Sequence, residues 1–329
     1  MLKVLPSSIQ TRSSSRAGTR LSATPSGASP LRSRWEGNLY PDLVGGLANR
    51  CRVSMQELWN EDLHWQARRG MELGHAYCTC EGHYHSLWGA LRIAGVNNSL
   101  KGEEPLLASL VLPFLRDDAR VMIGGSADPG VLCAIGRIYA PRMPAMTIID
   151  RCKAPLALIR EFVEGKGLEC RTLNLDLLDL DEREQWDQIV LHYTPDFVES
   201  RLHERLFRNL ALSLAPQGTL VCATMTGASV PFDRRQDMES AFLAYALKAL
   251  QDTPLAAQAQ APQFEQEFRL YAADRTTRRL TLPTTQDICE LLQSAGLQIL
   301  SEHATSRARR LLVGLDVVDT SSIIIAGRN

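Results

Sequence analysis

Residues 120–130 read R-V-M-I-G-G-S-A-D-P-G. A short apolar run, Val121, Met122 and Ile123, enters a turn of small residues, Gly124, Gly125, Ser126 and Ala127. It leaves through Asp128, Pro129 and Gly130 into an apolar helical pattern. The stretch reads as a strand, a tight loop and a helix start. A loop of this kind lets a ligand approach the backbone, because no Cβ stands in the way. The helix N-terminus behind it offers unpaired N–H groups to polar ligand atoms. Further on, a second apolar strand at 145–149 closes on Asp150. An acid at the tip of the second strand, roughly 20 residues past a Gly loop, is placed to accept hydrogen bonds from the two hydroxyls of a ribose. Loop and acid together predict a cofactor containing adenosine.

The alternation continues. A helix is expected at 131–139 and another at 155–164, the second terminated by Gly165 and Gly167. A third strand at 169–174 leads to Asp176, and a fourth at 188–192 ends on His192. A helix over 200–214 stops at Pro216, Gln217 and Gly218, and a fifth strand follows at 219–223. Strands alternating with helices of this length predict a parallel sheet covered on both faces. Ligands of such sheets bind at the carboxyl ends of the strands, where the strand order reverses. Beyond the fifth strand, 238–250 suits an amphipathic helix and 253–263 reads as a polar, Pro-flanked loop without order. Thr284 or Thr285 caps a helix over 287–292 that Gly296 ends, and 297–301 and 321–326 read as two closing strands. Upstream, 35–115 is helical and aromatic-rich, with Met55, Leu58, Trp59, Leu63 and Trp65 at helical spacings. Glu103, Glu104 and Pro105 are expected in the first turn of a helix that leads into the first strand.

Composition narrows the class. The 329 residues are 45% apolar and 22% charged, as in an ordinary globular chain, and the net charge is −1. That balance gives no electrostatic case for nucleic acid or an anionic membrane, and no apolar run reaches the ~20 residues of a membrane helix. The eight cysteines are scattered, which in a chain with its own core reads as reduced thiols in a cytoplasmic compartment. Residues 1–35 differ: six basic residues (Lys3, Arg12, Arg16, Arg20, Arg32, Arg34) stand without an acid before Glu36. Such a segment reads as a disordered tail, or as an organelle transit peptide, which shares the bias.

From the loop onward the chain resembles a class I S-adenosylmethionine-dependent methyltransferase. The resemblance rests on residues 123–130, on Asp150, on Leu175 and Asp176 after the third strand, and on two further segments. These are L-A-P-Q-G-T-L at 214–220 and L-L-Q-S-A-G-L at 291–297, before the fifth and sixth strands. The family usually carries an acid inside strand one, where this chain has Ile123; Asp128 could substitute from the loop. A second family glycine appears here as Ala127.

The resemblance implies an α/β fold: a doubly wound, seven-stranded, mostly parallel Rossmann-like sheet with strand seven antiparallel and a helical N-terminal cap. The expected divisions are a tail at 1–35, a cap or lid at 36–104, and the methyltransferase domain at 105–329 with an insert at about 227–280. Cofactor contacts are expected from Gly124, Gly125, Ser126, Ala127, Asp128, Gly130, Asp150, Arg151, Leu175, Asp176, His192 and Tyr193. The implied cofactor is S-adenosyl-L-methionine and the acceptor a small molecule. His192, at the end of strand four, is the candidate general base, since an ordinary histidine titrates near neutrality; lining the pocket is its other reading.

The stretch 74–85, G-H-A-Y-C-T-C-E-G-H-Y-H, is expected to close over the site, with Tyr77, His83, Tyr84 and His85 touching cofactor or acceptor; a packed loop between two helices is the alternative. Cys78-x-Cys80 and His83-x-His85 lack the spacings of common structural zinc sites, so no metal is assigned. Two further readings stay open: a nicotinamide-dependent oxidoreductase, which also uses a Gly loop and a second-strand acid, and a non-catalytic protein that keeps the fold.

Overall fold

Val121, Met122 and Ile123 are all buried, yet they serve two different cores. Val121 and Ile123 point into one, Met122 into the other, which is what a strand covered on both faces requires. The computed structural model describes residues 55–80, 84–96, 99–140, 144–226, 232–278, 284–310 and 316–328. These belong to one compact unit, Arg52–Asn329. The tail expected at 1–35 lies outside the described residues, as does His83.

The strands are β1 (Arg120–Gly124), β2 (Ala145–Asp150), β3 (Arg171–Asn174), β4 (Trp186–His192), β5 (Leu214–Thr226), β6 (Gln298–Arg310) and β7 (Asp316–Gly327). They form one sheet in the order β3-β2-β1-β4-β5-β7-β6. β1 to β5 pair in parallel, while β7 runs antiparallel to both β5 and β6. The sheet is therefore mixed, with β7 the one reversed strand among those described. The order reverses between β1 and β4, so the crevice expected of a doubly wound sheet opens where Gly124 and His192 end their strands.

Eleven helices are described: α1 (Met55–Leu58), α2 (Leu63–Tyr77), α3 (Tyr84–Ile93), α4 (Ser99–Val111), α5 (Gly130–Tyr139), α6 (Lys153–Lys166), α7 (His203–Ser213), α8 (Phe232–Leu250), α9 (Ala256–Ala259), α10 (Pro262–Arg278) and α11 (Thr285–Ser294). On one face Leu132 and Ile135 of α5, Ile159 and Phe162 of α6, and Leu107 and Val111 of α4 cover Ile148, Val190 and Ile325. On the other, Leu206, Phe207 and Leu210 of α7 and Ile288 and Leu292 of α11 cover Ile189, Leu191 and Ile324. A third core joins the cap to the insert, where Ala67, Leu87 and Leu91 meet Leu243, Phe264 and Phe268. Among the described residues, no helix is long and apolar enough to cross a membrane.

Local signals act as read in several places. Thr284 caps α11 in a reciprocal capping box with Asp287. Gly167 and Gly296 take φ of +66° and +88° after α6 and α11, which suits glycine. Four expectations are corrected. Pro105 lies inside α4, which starts at Ser99, because Leu107 and Val111 anchor the helix body in the core despite the lost backbone bond. The stretch 253–263 is no unordered loop: Leu255 and Ala259 are buried under α8, and α10 begins at Pro262. The residues at helical spacings from Met55 to Trp65 are divided between α1 and α2, with Trp59 between them, since Asp62 starts α2 by accepting from Trp65 N at 3.0 Å. The closing strands extend well beyond the apolar cores of 297–301 and 321–326, because antiparallel pairing continues to Arg310 and Asp316.

Two glycines test the packing. A Cβ at Gly136 would lie 2.2 Å from the fully buried Trp59 ring, so α5 meets the cap only because that position is bare. A Cβ at Gly165, exposed inside α6, would meet nothing within 4 Å. Gly136→Ala should destabilise the fold by about 1–3 kcal/mol or more through overpacking, and Gly165→Ala should stabilise it by roughly 0.5–1 kcal/mol. Urea unfolding of both variants checks the pair; equal, small effects would contradict the Trp59 contact.

Candidate active site

The Gly loop is held from three sides. Gly125 adopts φ of +72° and its N–H donates to Ile149 O at 2.7 Å, turning the chain back over the tip of β2. Ser126 N donates to Asp150 Oδ2 at 3.0 Å, and the Ser126 hydroxyl donates to Asp128 O at 2.8 Å. Asp128 closes the turn before α5 by accepting from Gly130 N at 2.8 Å. Its other oxygen takes Arg92 Nη1 at 2.6 Å, and the same nitrogen donates to Glu61 at 2.7 Å. Asp128 is thus engaged on both oxygens and buried. Ala127 is half-buried at the crest of the loop.

Asp150 is the node of the site. It is 7% exposed, and its second oxygen accepts from Cys152 N at 2.6 Å. Its backbone carbonyl accepts from Leu175 N and from the Asn174 side chain, both at 3.1 Å, which ties the exit of β3 to the same point. Burial raises the Asp150 pKa above its ordinary value, partly offset by the charge of His85 and by the Cys152 and Ser126 amides. Arg151 is exposed beside it. Leu175 is half-buried, and Asp176 caps the following 3₁₀ turn by accepting from Leu178 N at 2.9 Å.

Across the crevice, His192 and Tyr193 meet a residue that sequence spacing did not single out. Glu103, on α4, lies 3.2 Å from His192 Nε2 through Oε2 and accepts from the Tyr193 hydroxyl through Oε1. Burial and then Glu103 raise the Tyr193 pKa. Tyr193 also holds φ of +62°, strained for a bulky residue and a conformation that gathers at functional sites. Thr194, next in the chain, donates to Gly124 O at 2.6 Å and packs where a Gly125 Cβ would lie. The loops after β1 and β4 are thereby fastened together.

The stretch around 74–85 ends one helix and starts another. Tyr77 is 52% exposed at the end of α2 and does not join the other candidates. Tyr84 opens α3, stacks on Phe197 with ring centroids 5.4 Å apart, and sits 3.9 Å from the His85 ring. Burial, then the Asp150 charge, raises its pKa. His85 is buried, with Nδ1 3.2 Å from Cys78 Sγ.

The sequence thus brought forward the loop, Asp150, His192 and Tyr193, which the fold assembles at the strand ends. It did not bring forward Glu103 or Thr194. Glu103 stands 89 positions from His192 and read only as a helix-start acid; no local pattern marks such a pairing.

No protein-family model matches the chain, and no curated protein matches it. Solved structures do. A SAM-dependent methyltransferase from Methanosarcina mazei aligns at 14% identity and a TM-score of 0.42, over 67% of this chain and 96% of its own. The YcgJ protein from Bacillus subtilis aligns at 14% and 0.45, over 70% and 99%. TehB from Haemophilus influenzae aligns at 11% and 0.44, over 69% and 62%. The strand order and the reversed strand β7 agree with the seven-stranded sheet that the sequence resemblance implied.

Removing the Tyr193 hydroxyl leaves the part-buried Glu103 carboxylate without that donor. Tyr193→Phe should cost about 1–3 kcal/mol of stability. In a double-mutant cycle with Glu103→Gln, denaturant unfolding should report a coupling above about 0.5 kcal/mol; additive effects would mean the pair contributes nothing.

Proposed function

We propose that this chain is an S-adenosylmethionine-dependent methyltransferase acting on a small molecule. The observation that carries the reading is Asp150: an acid at the tip of β2, bonded to the Gly loop of β1, beside the point where the strand order reverses. A carboxylate has about four acceptor sites, and Asp150 gives two of them to the Ser126 and Cys152 amides. The rest match the donor pattern of two ribose hydroxyls, so the residues present fit the cofactor. Gly124, Gly125, Ser126, Ala127, Asp128 and Gly130 would border it on one side, Arg151, Leu175 and Asp176 on another, with Tyr84 and His85 from the cap.

The cofactor would supply a methyl group on a sulfonium, already a good leaving group. The protein's own contribution is then alignment in a water-poor crevice. Thr194 fixes the β4 loop to the β1 loop, which sets the distance across that crevice. Where the acceptor arrives protonated, a base is needed. His192 fits that role: with its Nε2 proton directed at Glu103, Nδ1 is left to take a proton, and the Glu103 carboxylate stabilises the cation that forms. The near-zero net charge supports a small acceptor over a nucleic acid.

One observation favours a second reading, a fold kept without catalysis. Ile123 stands where the family has an acid, and Asp128, its nearest replacement, is committed to Arg92 and Gly130. Calorimetric titration with S-adenosylmethionine, S-adenosylhomocysteine and NADH separates the readings. Micromolar binding of the first two and none of NADH is expected; binding of NADH alone, or of none, overturns the proposal.

Three further outcomes are expected. Asp150→Ala and Gly125→Val should each abolish cofactor binding while the chain stays folded by circular dichroism, and wild-type affinity in both would displace the site. Because burial raises the Asp150 pKa, affinity should fall on acidification at a pH above the ordinary aspartate range, where protonation removes acceptor capacity. A binding curve flat down to that range would show that Asp150 does not hold the ribose. His192→Ala should keep binding and lose turnover.

A further inference from the structure

Three cysteines and a histidine from two distant segments converge beside Asp150. Cys78 and Cys80 lie in the link after α2, His85 in the first turn of α3, and Cys152 is the residue before α6. One donor atom from each falls within 4.8 Å of all the others. We propose that Cys78, Cys80, His85 and Cys152 form a structural Zn²⁺ site that clasps the cap onto the β2–α6 turn.

The donor chemistry is specific. Three sulfurs and one imidazole nitrogen make a closed four-ligand set, the composition of structural zinc sites. A tetrahedral Zn²⁺ with Zn–S of about 2.3 Å and Zn–N of about 2.0–2.1 Å holds its ligands roughly 3.5–4 Å apart, so the observed cluster needs only a small contraction. Cys78, His85 and Cys152 are 6%, 3% and 1% exposed, and Cys80 is half-buried. Cys78, Cys152 and Ala154, with Cys80 against them, make up a core of their own, apart from the three larger ones. Thiols are weak donors, so without a metal the three thiols have little beyond one another and His85 to satisfy them.

Cys152 stands at the N-terminus of a 14-residue helix, where the dipole stabilises negative charge. Three thiolates, a neutral histidine and Zn²⁺ leave one net negative charge, and Arg151 adjoins Cys152 in the chain. A disulfide is the weaker account. All the cluster's cysteines are free, and a single bridge would use two sulfurs and leave the third cysteine and His85 without a role.

Cys78-x-Cys80 is indeed too short to make a site with the nearby histidines, but the fourth donor comes from Cys152, more than seventy positions on. With every position filled by protein, the metal would not bind substrate. It would instead fix the Cys152 amide against Asp150 Oδ1 and hold Tyr84, next to His85, over the crevice.

The test reads metal content and does not depend on methyl transfer. The full chain is purified under reducing conditions without chelator and its metals are counted by mass spectrometry. One zinc per chain is expected, lost in Cys80→Ser and in Cys152→Ser and retained in Cys170→Ser, a half-buried cysteine outside the cluster. Should the cluster variants fail to fold, the wild type decides alone. Chelator-stripped protein given Co²⁺ should develop intense tetrahedral d–d bands with thiolate charge transfer, which added Zn²⁺ abolishes. Wild-type protein that carries no stoichiometric zinc and gives no such spectrum overturns the site. So does full zinc content in folded Cys152→Ser, iron in place of zinc, or a native disulfide among the three cysteines.

Discussion

The hydrogen bond from Ser126 N to the Asp150 carboxylate holds the candidate site together. The carboxylate fastens the Gly loop to the end of β2 on one oxygen and steadies the start of α6 through Cys152 on the other. Its backbone carbonyl takes the exit of β3. An acid with so little exposure is costly to bury unless its acceptors are filled. Here backbone amides fill them and are also the groups that shape the loop. In the proposed reading, the residue that would meet a ribose is also the residue that builds the cradle.

The same economy recurs across the crevice. Glu103 comes from a helix that precedes the whole sheet, yet it meets both His192 and Tyr193 at the end of β4. The left-handed backbone of Tyr193 persists because its hydroxyl is tied to Glu103 and its amide to Ala223 O at 2.8 Å. Strain of this kind survives only where surrounding contacts over-determine it. Elements that precede the sheet thus reach the same strand ends: Glu103 of α4 meets the β4 side, Arg92 of α3 pins Asp128 on the β1 side, and Cys78, Cys80 and His85 gather with Cys152 after β2.

The insert between β5 and β6 reinforces this arrangement from outside. Glu267 of α10 accepts from the Ser86 hydroxyl at 2.7 Å and lies 2.8 Å from His75 Nε2, while Phe264 and Phe268 pack in the core shared with α2 and α3. Gly89 over Ala67 and Gly74 over Ser86 leave no room for a Cβ, so α2 and α3 lie against each other at close range.

What the sequence by itself determined is what depends on neighbours along the chain. The Gly loop, the acid after β2, the apolar strand runs, the Thr284 cap and the glycines ending α6 and α11 were legible, because a turn, a cap or a two-sided strand leaves its pattern in a few consecutive residues. The tertiary structure alone decided which distant groups meet. Glu103 finds His192, Cys152 completes a ligand set with Cys78, Cys80 and His85, and the polar stretch after Thr253 becomes ordered against α8. Side-chain pairing across such separations follows from strand order and helix packing, which act through burial and have no fixed spacing for a sequence to display. Pro105 inside α4 shows the same balance: local preference set the expectation, and the apolar contacts of Leu107 and Val111 outweighed it.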